Sequence, residues 1–132
     1  MLKHVKFTSL AAILATAFVY CTAISALECP LLTGPDSEYD KSKWLIVPTY
    51  IQRIPEGTTF TGATWNIGPE GIACTYNFRT SSPFANHFTL FSNNIVGGPK
   101  PITAGSKWVI NLFYKNGVCK SDNYTDCPFT DF

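Results

Sequence analysis

The sequence predicts an all-β fold: a small, disulfide-stapled antiparallel β-sandwich or open barrel of five or six short strands, behind a cleaved signal peptide. Three observations carry this reading. Short β-prone runs with period-two alternation are separated by Gly, Pro and Asn. No stretch of ten or more residues after the leader shows helical periodicity. Four cysteines remain once the leader is removed, and an even number in an exported chain reads as a disulfide framework. A flattened β-roll fits the same pattern.

The leader comes first. Lys3, His4 and Lys6 form a basic start, an uncharged apolar run covers residues 10–20, and small residues lead to Ala26. That order is the layout of a secretory signal peptide. The apolar run is also shorter than the ~20 residues that span a bilayer. Cleavage is expected after Ala26, with Ala23 as the alternative, giving a signal peptide (residues 1–26) and a single β domain (residues 27–132). Tyr20 is too bulky to precede a lipoprotein cysteine at Cys21. The remaining 106 residues carry 8 basic and 9 acidic side chains, a net charge of about −1. Charge so balanced and scattered gives no footprint for nucleic acid or an anionic membrane. The expected location is secreted or periplasmic.

Cys29, Cys74, Cys119 and Cys127 allow three pairings, among which sequence cannot choose. The preferred pairs are Cys119–Cys127, closing a short polar loop, and Cys29–Cys74, tying the N-terminal segment to a central hairpin. Zinc is disfavoured because no two cysteines have C-x-x-C spacing.

Residues 27–40 are rich in turn formers and read as an irregular lead-in. Asp36, Glu38 and Asp40 alternate as calcium ligands can, but the glycine and final glutamate of an EF-hand loop are missing. Residues 43–50 form the first strand candidate, and Pro48 places it on an edge or ends it. The central hairpin lies within residues 58–78. On its first strand Ala63, Trp65 and Ile67 share a face, and Gly62 marks a bulge that returns Phe60 inward. Gly68-Pro69-Glu70-Gly71 makes the turn. On the second strand Ile72, Cys74, Tyr76 and Phe78 point to the core.

A polar loop over residues 79–86 leads to a fourth strand at 87–92. Residues 93–105, with repeated Gly and Pro, read as a flexible connection. Residues 107–115 read as a long strand, apolar on both sides and therefore central. Asn116-Gly117 signals a two-residue turn into a short return strand at 118–120.

Few residues suggest chemistry. His87 is the single histidine of the domain and stands far in sequence from every carboxylate. A triad of Ser82, His87 and Asp122 would need assembly in space, with no G-x-S-x-G elbow to support it. Glu56 and Glu70 sit in turns of a domain with little room for a glycosidase cleft. No metal, phosphate or dinucleotide motif is present, no cofactor is expected, and the chain reads as a non-enzyme. Asn123-Tyr124-Thr125 is a glycosylation sequon that matters only in a eukaryotic secretory pathway.

Aromatic content is more informative. Phe, Trp and Tyr make up 14% of the chain, more than so small a core can hide. Tyr39, Tyr50, Phe84 and Tyr124 fall in loops and are the candidate binding residues, with Phe129 and Phe132 also outside the strands. Flat rings on a rigid β scaffold suit a protein surface or a sugar ring. The expected function is a non-catalytic module recognising a protein or glycan. An inhibitor of a secreted enzyme is the alternative, and a minimal hydrolase centred on His87 is a third.

The order Cys29-Pro30, then Phe60 and Trp65, then Gly71-Ile72-Ala73-Cys74-Thr75-Tyr76 resembles a family of small exported bacterial proteins known only as a domain of unknown function. The resemblance implies a periplasmic or secreted β-domain. It supplies no functional residues, and the Cys119/Cys127 pair is not part of its pattern.

Overall fold

The computed structural model describes residues 26–79, 86–93 and 98–131. Six strands form one open antiparallel sheet: β1 (Trp44–Val47), β2 (Thr59–Trp65), β3 (Ile72–Asn77), β4 (His87–Ser92), β5 (Trp108–Asn111) and β6 (Asn116–Lys120). Their spatial order is β1-β4-β3-β2-β6-β5, so the β2–β3 hairpin is the middle of the sheet. The second layer comes from irregular chain rather than from another sheet.

Period-two alternation sorts the strands into two faces. Cys74 pairs with Ala63 on one side and Leu90 on the other, and Tyr76 pairs with Phe60 and Phe88. All of these point to the core, as do Ile72, Trp44 and Trp108. The register slips between Phe60 and Gly62, and this bulge keeps Phe60 inward although its sequence parity is wrong. Tyr76 stacks on Phe88 at 5.0 Å, and Phe60 meets Tyr76 edge-on at 5.7 Å. Such ring pairs contribute about 0.5–1.5 kcal/mol each beyond the area they bury. The Tyr76 hydroxyl, taken into this core, donates to the Pro30 carbonyl, and burial pushes its pKa far up.

Two chain ends close over the core face. Cys29 is bonded to Cys74, which draws the N-terminal segment and buried Leu32 onto the middle strand. Leu27 exchanges backbone hydrogen bonds with Phe129, whose ring is fully buried and edge-on to Trp44 at 5.9 Å. Phe129 is thus core and not a loop aromatic. Cys119 is bonded to Cys127, and a single 3-10 turn (Tyr124–Asp126) sits inside that loop, capped by Asn123.

Four expectations are corrected. The segment 107–115 is not a central strand: β5 is four residues long and lies at the sheet edge, with Val109 74% exposed. Its turn falls at residues 112–115, so Asn116-Gly117 opens β6 instead of making the turn. Of the segment expected to be a flexible connection, residues 98–102 are docked: Pro99 is buried, Ile102 N–H donates to Pro128 and Thr130 N–H to Lys100. Residues 94–97 lie outside the described part. Ile67 lies beyond the end of β2 and is exposed, so it does not continue the face of Ala63 and Trp65. Pro48 follows β1, which is an edge strand as expected.

Candidate functional site

The β5–β6 turn places Leu112, Phe113 and Tyr114 side by side at 85%, 84% and 70% exposure. Turns normally take Gly, Asn, Asp or Ser, and three consecutive large apolar residues are the reverse of that chemistry. The polar work of the turn is done from outside it. Asn111 Oδ1 accepts from the N–H groups of both Phe113 (3.0 Å) and Tyr114 (3.1 Å). Lys115 closes the turn in the left-handed region at φ 52°, and Asn66 Nδ2 donates to its carbonyl at 3.1 Å. With the backbone satisfied by Asn111 and Asn66, the side chains project outward on a braced loop. The Phe113 and Tyr114 rings stand perpendicular with centroids 5.0 Å apart.

From Gly71 to Ser121 the chain holds five Lys or Arg and no carboxylate. Lys115 therefore borders the apolar tip without an acidic residue anywhere in its own hairpin.

The sequence candidates do not gather. Tyr39 and Tyr124 are half-buried and packed against the core. Tyr39 lines a hollow of about 290 Å³ with Ile46, Ile51 and Ile54, rimmed by Glu38 and Arg53. Tyr50 is 71% exposed, in the turn closed by the Ile51 N–H to Pro48 carbonyl bond. Phe84, Phe132 and Ser82 lie outside the described residues. His87 is exposed at the start of β4, opposite Asn77. Asp122, Glu56 and Glu70 are exposed, and Glu70 stands by the β2–β3 turn. All four domain cysteines are in disulfides, leaving no thiolate there. No group of three His, Cys, Asp or Glu side chains forms a metal-ligand cluster among the described residues.

Two carboxylates are tuned, both by local donors. The Ser42 hydroxyl and N–H hold the Asp40 carboxyl below its ordinary value, with Lys43 adding a charge. The Ser121 hydroxyl, with Lys107 beside it, does the same for Asp126. In the sequon, Asn123 Oδ1 accepts from Thr125 N–H and Oγ, and the residue is exposed. These are turn-closing contacts.

Sequence reasoning missed the tip because residues 112–114 alternate acceptably as strand. The available signal was Asn111, an asparagine that can cap a turn with its own side chain.

No family model matches the chain, and no curated protein or solved structure matches it.

Proposed function

We propose that the chain is a non-catalytic binding module, secreted or periplasmic, that engages a protein through Leu112, Phe113 and Tyr114. The observation that carries this is the exposure of three large apolar side chains on a turn whose backbone is braced by Asn111 and Asn66. An ordered tip loses little conformational entropy on binding, and aromatic anchors entering a pocket supply most of an interface's energy. A sugar fits less well: it needs a flat ring face beside hydrogen-bonding groups, whereas these two rings are perpendicular and Leu112 offers none. The receptor expected is an apolar pocket on a protein, with acidic residues at its rim to meet Lys115.

A convex braced loop also favours the inhibitor reading, in which the pocket is the cleft of a secreted enzyme. The test for both is affinity capture from the host's extracellular fraction, comparing the wild type with a Leu112→Ser, Phe113→Ser, Tyr114→Ser triple variant. A partner held by the wild type and lost by the triple variant is the expected result. Each anchor truncated should cost about 1–4 kcal/mol. Equal retention, or no capture by either protein, overturns the reading.

A further inference from the structure

The face of the sheet turned away from the core carries a pattern of its own. Directly paired residues make one row across all six strands: Leu45 opposite Phe91, Phe91 opposite Ala73, Ala73 opposite Thr64, Thr64 opposite Val118, and Val118 opposite Val109. The neighbouring row holds Val47, Thr89, Thr75 and Lys120. Of the strand residues on this face, only His87 and Lys120 have ionisable side chains. A solvent-facing sheet surface ordinarily alternates charged residues outward, so a surface of Leu, Val, Phe and Thr is unexplained by a lone molecule.

The face has relief as well. At the β1 edge, Leu45, Val47, Phe91 and Pro69 line an open slot of about 650 Å³, with Glu70 on its rim. At the β5 edge, Val109 stands out at 74% exposure. One end of the row is therefore a hollow and the other a knob.

We propose that this face binds a second copy of the chain, sheet on sheet, so that two open sheets complete one β-sandwich. A two-fold axis running along the strands between β3 and β2 sets β5 of each copy over β1 of the other, β6 over β4, and β2 over β3. The Val109 knob then enters the slot beside Leu45, and the same contact is made twice, as an isologous interface requires. Lys120 meets the level of Thr89 and not another lysine. Apart from Lys120 and His87 on the strands and Glu70 at the slot's rim, the face is uncharged, and an identical copy offers it a mostly uncharged surface like its own.

The area lies at the lower end of the range for a specific interface. Six strands at ~4.8 Å spacing and four to six residues at ~3.4 Å rise give a projected face of roughly 400–600 Å². Two such faces together give roughly 800–1,200 Å², near the ~1,000 Å² total that a specific interface should clear. The second copy also accounts for the apolar residues on both sides of β1 and β5.

The experiment is sedimentation equilibrium of the disulfide-intact domain, from micromolar to submillimolar concentration. The wild type is expected to dimerise. Val109→Lys and Leu45→Lys, both at exposed positions, should each raise the dissociation constant about tenfold or more while leaving the far-UV circular dichroism unchanged. Phe113→Ser, on the tip, should leave the dimer intact. A mixture of Leu45→Cys and Val109→Cys proteins should be joined by a short bismaleimide linker, and neither protein alone should be. In the dimer the two copies of Leu45, like the two copies of Val109, lie five strand spacings apart, about 24 Å, beyond the linker's reach. A wild type monomeric throughout, a dimer indifferent to both lysine substitutions, or linkage within Val109→Cys alone each overturns the proposal.

Discussion

Asn66 and Lys115 stand in two different hairpin turns and are joined by one hydrogen bond, from Asn66 Nδ2 to the Lys115 carbonyl at 3.1 Å. Both have φ 52°. The other end of the Asn66 amide, Oδ1, accepts the Gly71 N–H at 2.8 Å. One side chain thus ties the turn between β2 and β3 to the aromatic tip between β5 and β6. Asparagine takes the left-handed region more readily than most residues, which suits it to this position.

Substitution at Asn66 separates backbone strain from side-chain bracing. Asn66→Ala loses both bonds and places a Cβ-bearing residue in the left-handed region, for an expected cost of about 2 kcal/mol in urea unfolding. Asn66→Gly keeps the backbone comfortable and loses only the bonds, for about 1 kcal/mol. Both should speed hydrogen exchange at the Phe113 and Tyr114 amides. Wild-type exchange rates in Asn66→Gly would show that the tip is ordered without this brace.

The bulge in β2 sets up a contrast between two glycines. A Cβ on Gly62, at φ +151°, would lie 2.5 Å from the Cys119 carbonyl oxygen, which belongs to the neighbouring strand. That oxygen cannot withdraw without parting β2 from β6. A Cβ on Gly117 would meet the Ile110 Cδ1 instead, the far end of a side chain that can change rotamer. Gly62→Ala is expected to cost about 3 kcal/mol or more and Gly117→Ala about 1 kcal/mol. Chemical denaturation of the two variants side by side settles the ranking, and equal costs would contradict it.

Most of the scaffold was legible in the residues because its local signals agree. Ile72, Cys74 and Tyr76 alternate cleanly, Gly62 explains how Phe60 turns inward, and His87 to Ser92 is bounded as read. The hairpin that carries the candidate site was not legible, for a physical reason. Asn116-Gly117 is a strong turn dipeptide, yet Asn111 and Asn66 supply the turn's hydrogen bonds four residues earlier, and Asn66 is remote in sequence. Alternation also could not tell an edge strand with an apolar outer face from a central strand, since both show Val109 and Phe113 opposite Trp108 and Ile110. The loop aromatics failed as a set because loops here fold back onto the core. Phe129 is held there by its exchange of bonds with Leu27, and Tyr124 by the turn inside the Cys119–Cys127 loop.

The two disulfides should differ in what their removal costs. Cys29–Cys74 closes 45 residues and Cys119–Cys127 closes 8. Chain entropy alone assigns about 4 kcal/mol to the first and about 2.5 kcal/mol to the second. Loss of the first also frees the segment bearing Leu32 and the Pro30 carbonyl that receives the Tyr76 hydroxyl. Paired Cys→Ser variants, unfolded in guanidinium under identical conditions, give the comparison. A larger loss for the Cys119/Cys127 pair would mean that loop length does not govern here.

Acid should weaken the loop that Cys119–Cys127 closes. Asp126 Oδ2 accepts the Ser121 hydroxyl at 2.6 Å and lies 3.3 Å from Lys107 Nζ. The serine contributes most, and together with Lys107 it holds the carboxyl below its ordinary value of 3.8 against a smaller opposing desolvation. A carboxyl with a lowered folded-state pKa stabilises the fold fully above its unfolded value, and that stabilisation is lost as pH falls through the folded value. The window is therefore at and below pH 3.8, with neutral solutions unaffected. Asp40, lowered by Ser42, contributes with the same sign. Thermal melts of the wild type should thus be level near neutrality and fall below pH 3.8. Asp126→Asn, which cannot titrate, should melt lower at neutral pH and fall less in acid, with Asp40 and any other native-paired carboxylates supplying what remains. Parallel curves for the two proteins below pH 3.8 would remove Asp126 from the account of acid sensitivity.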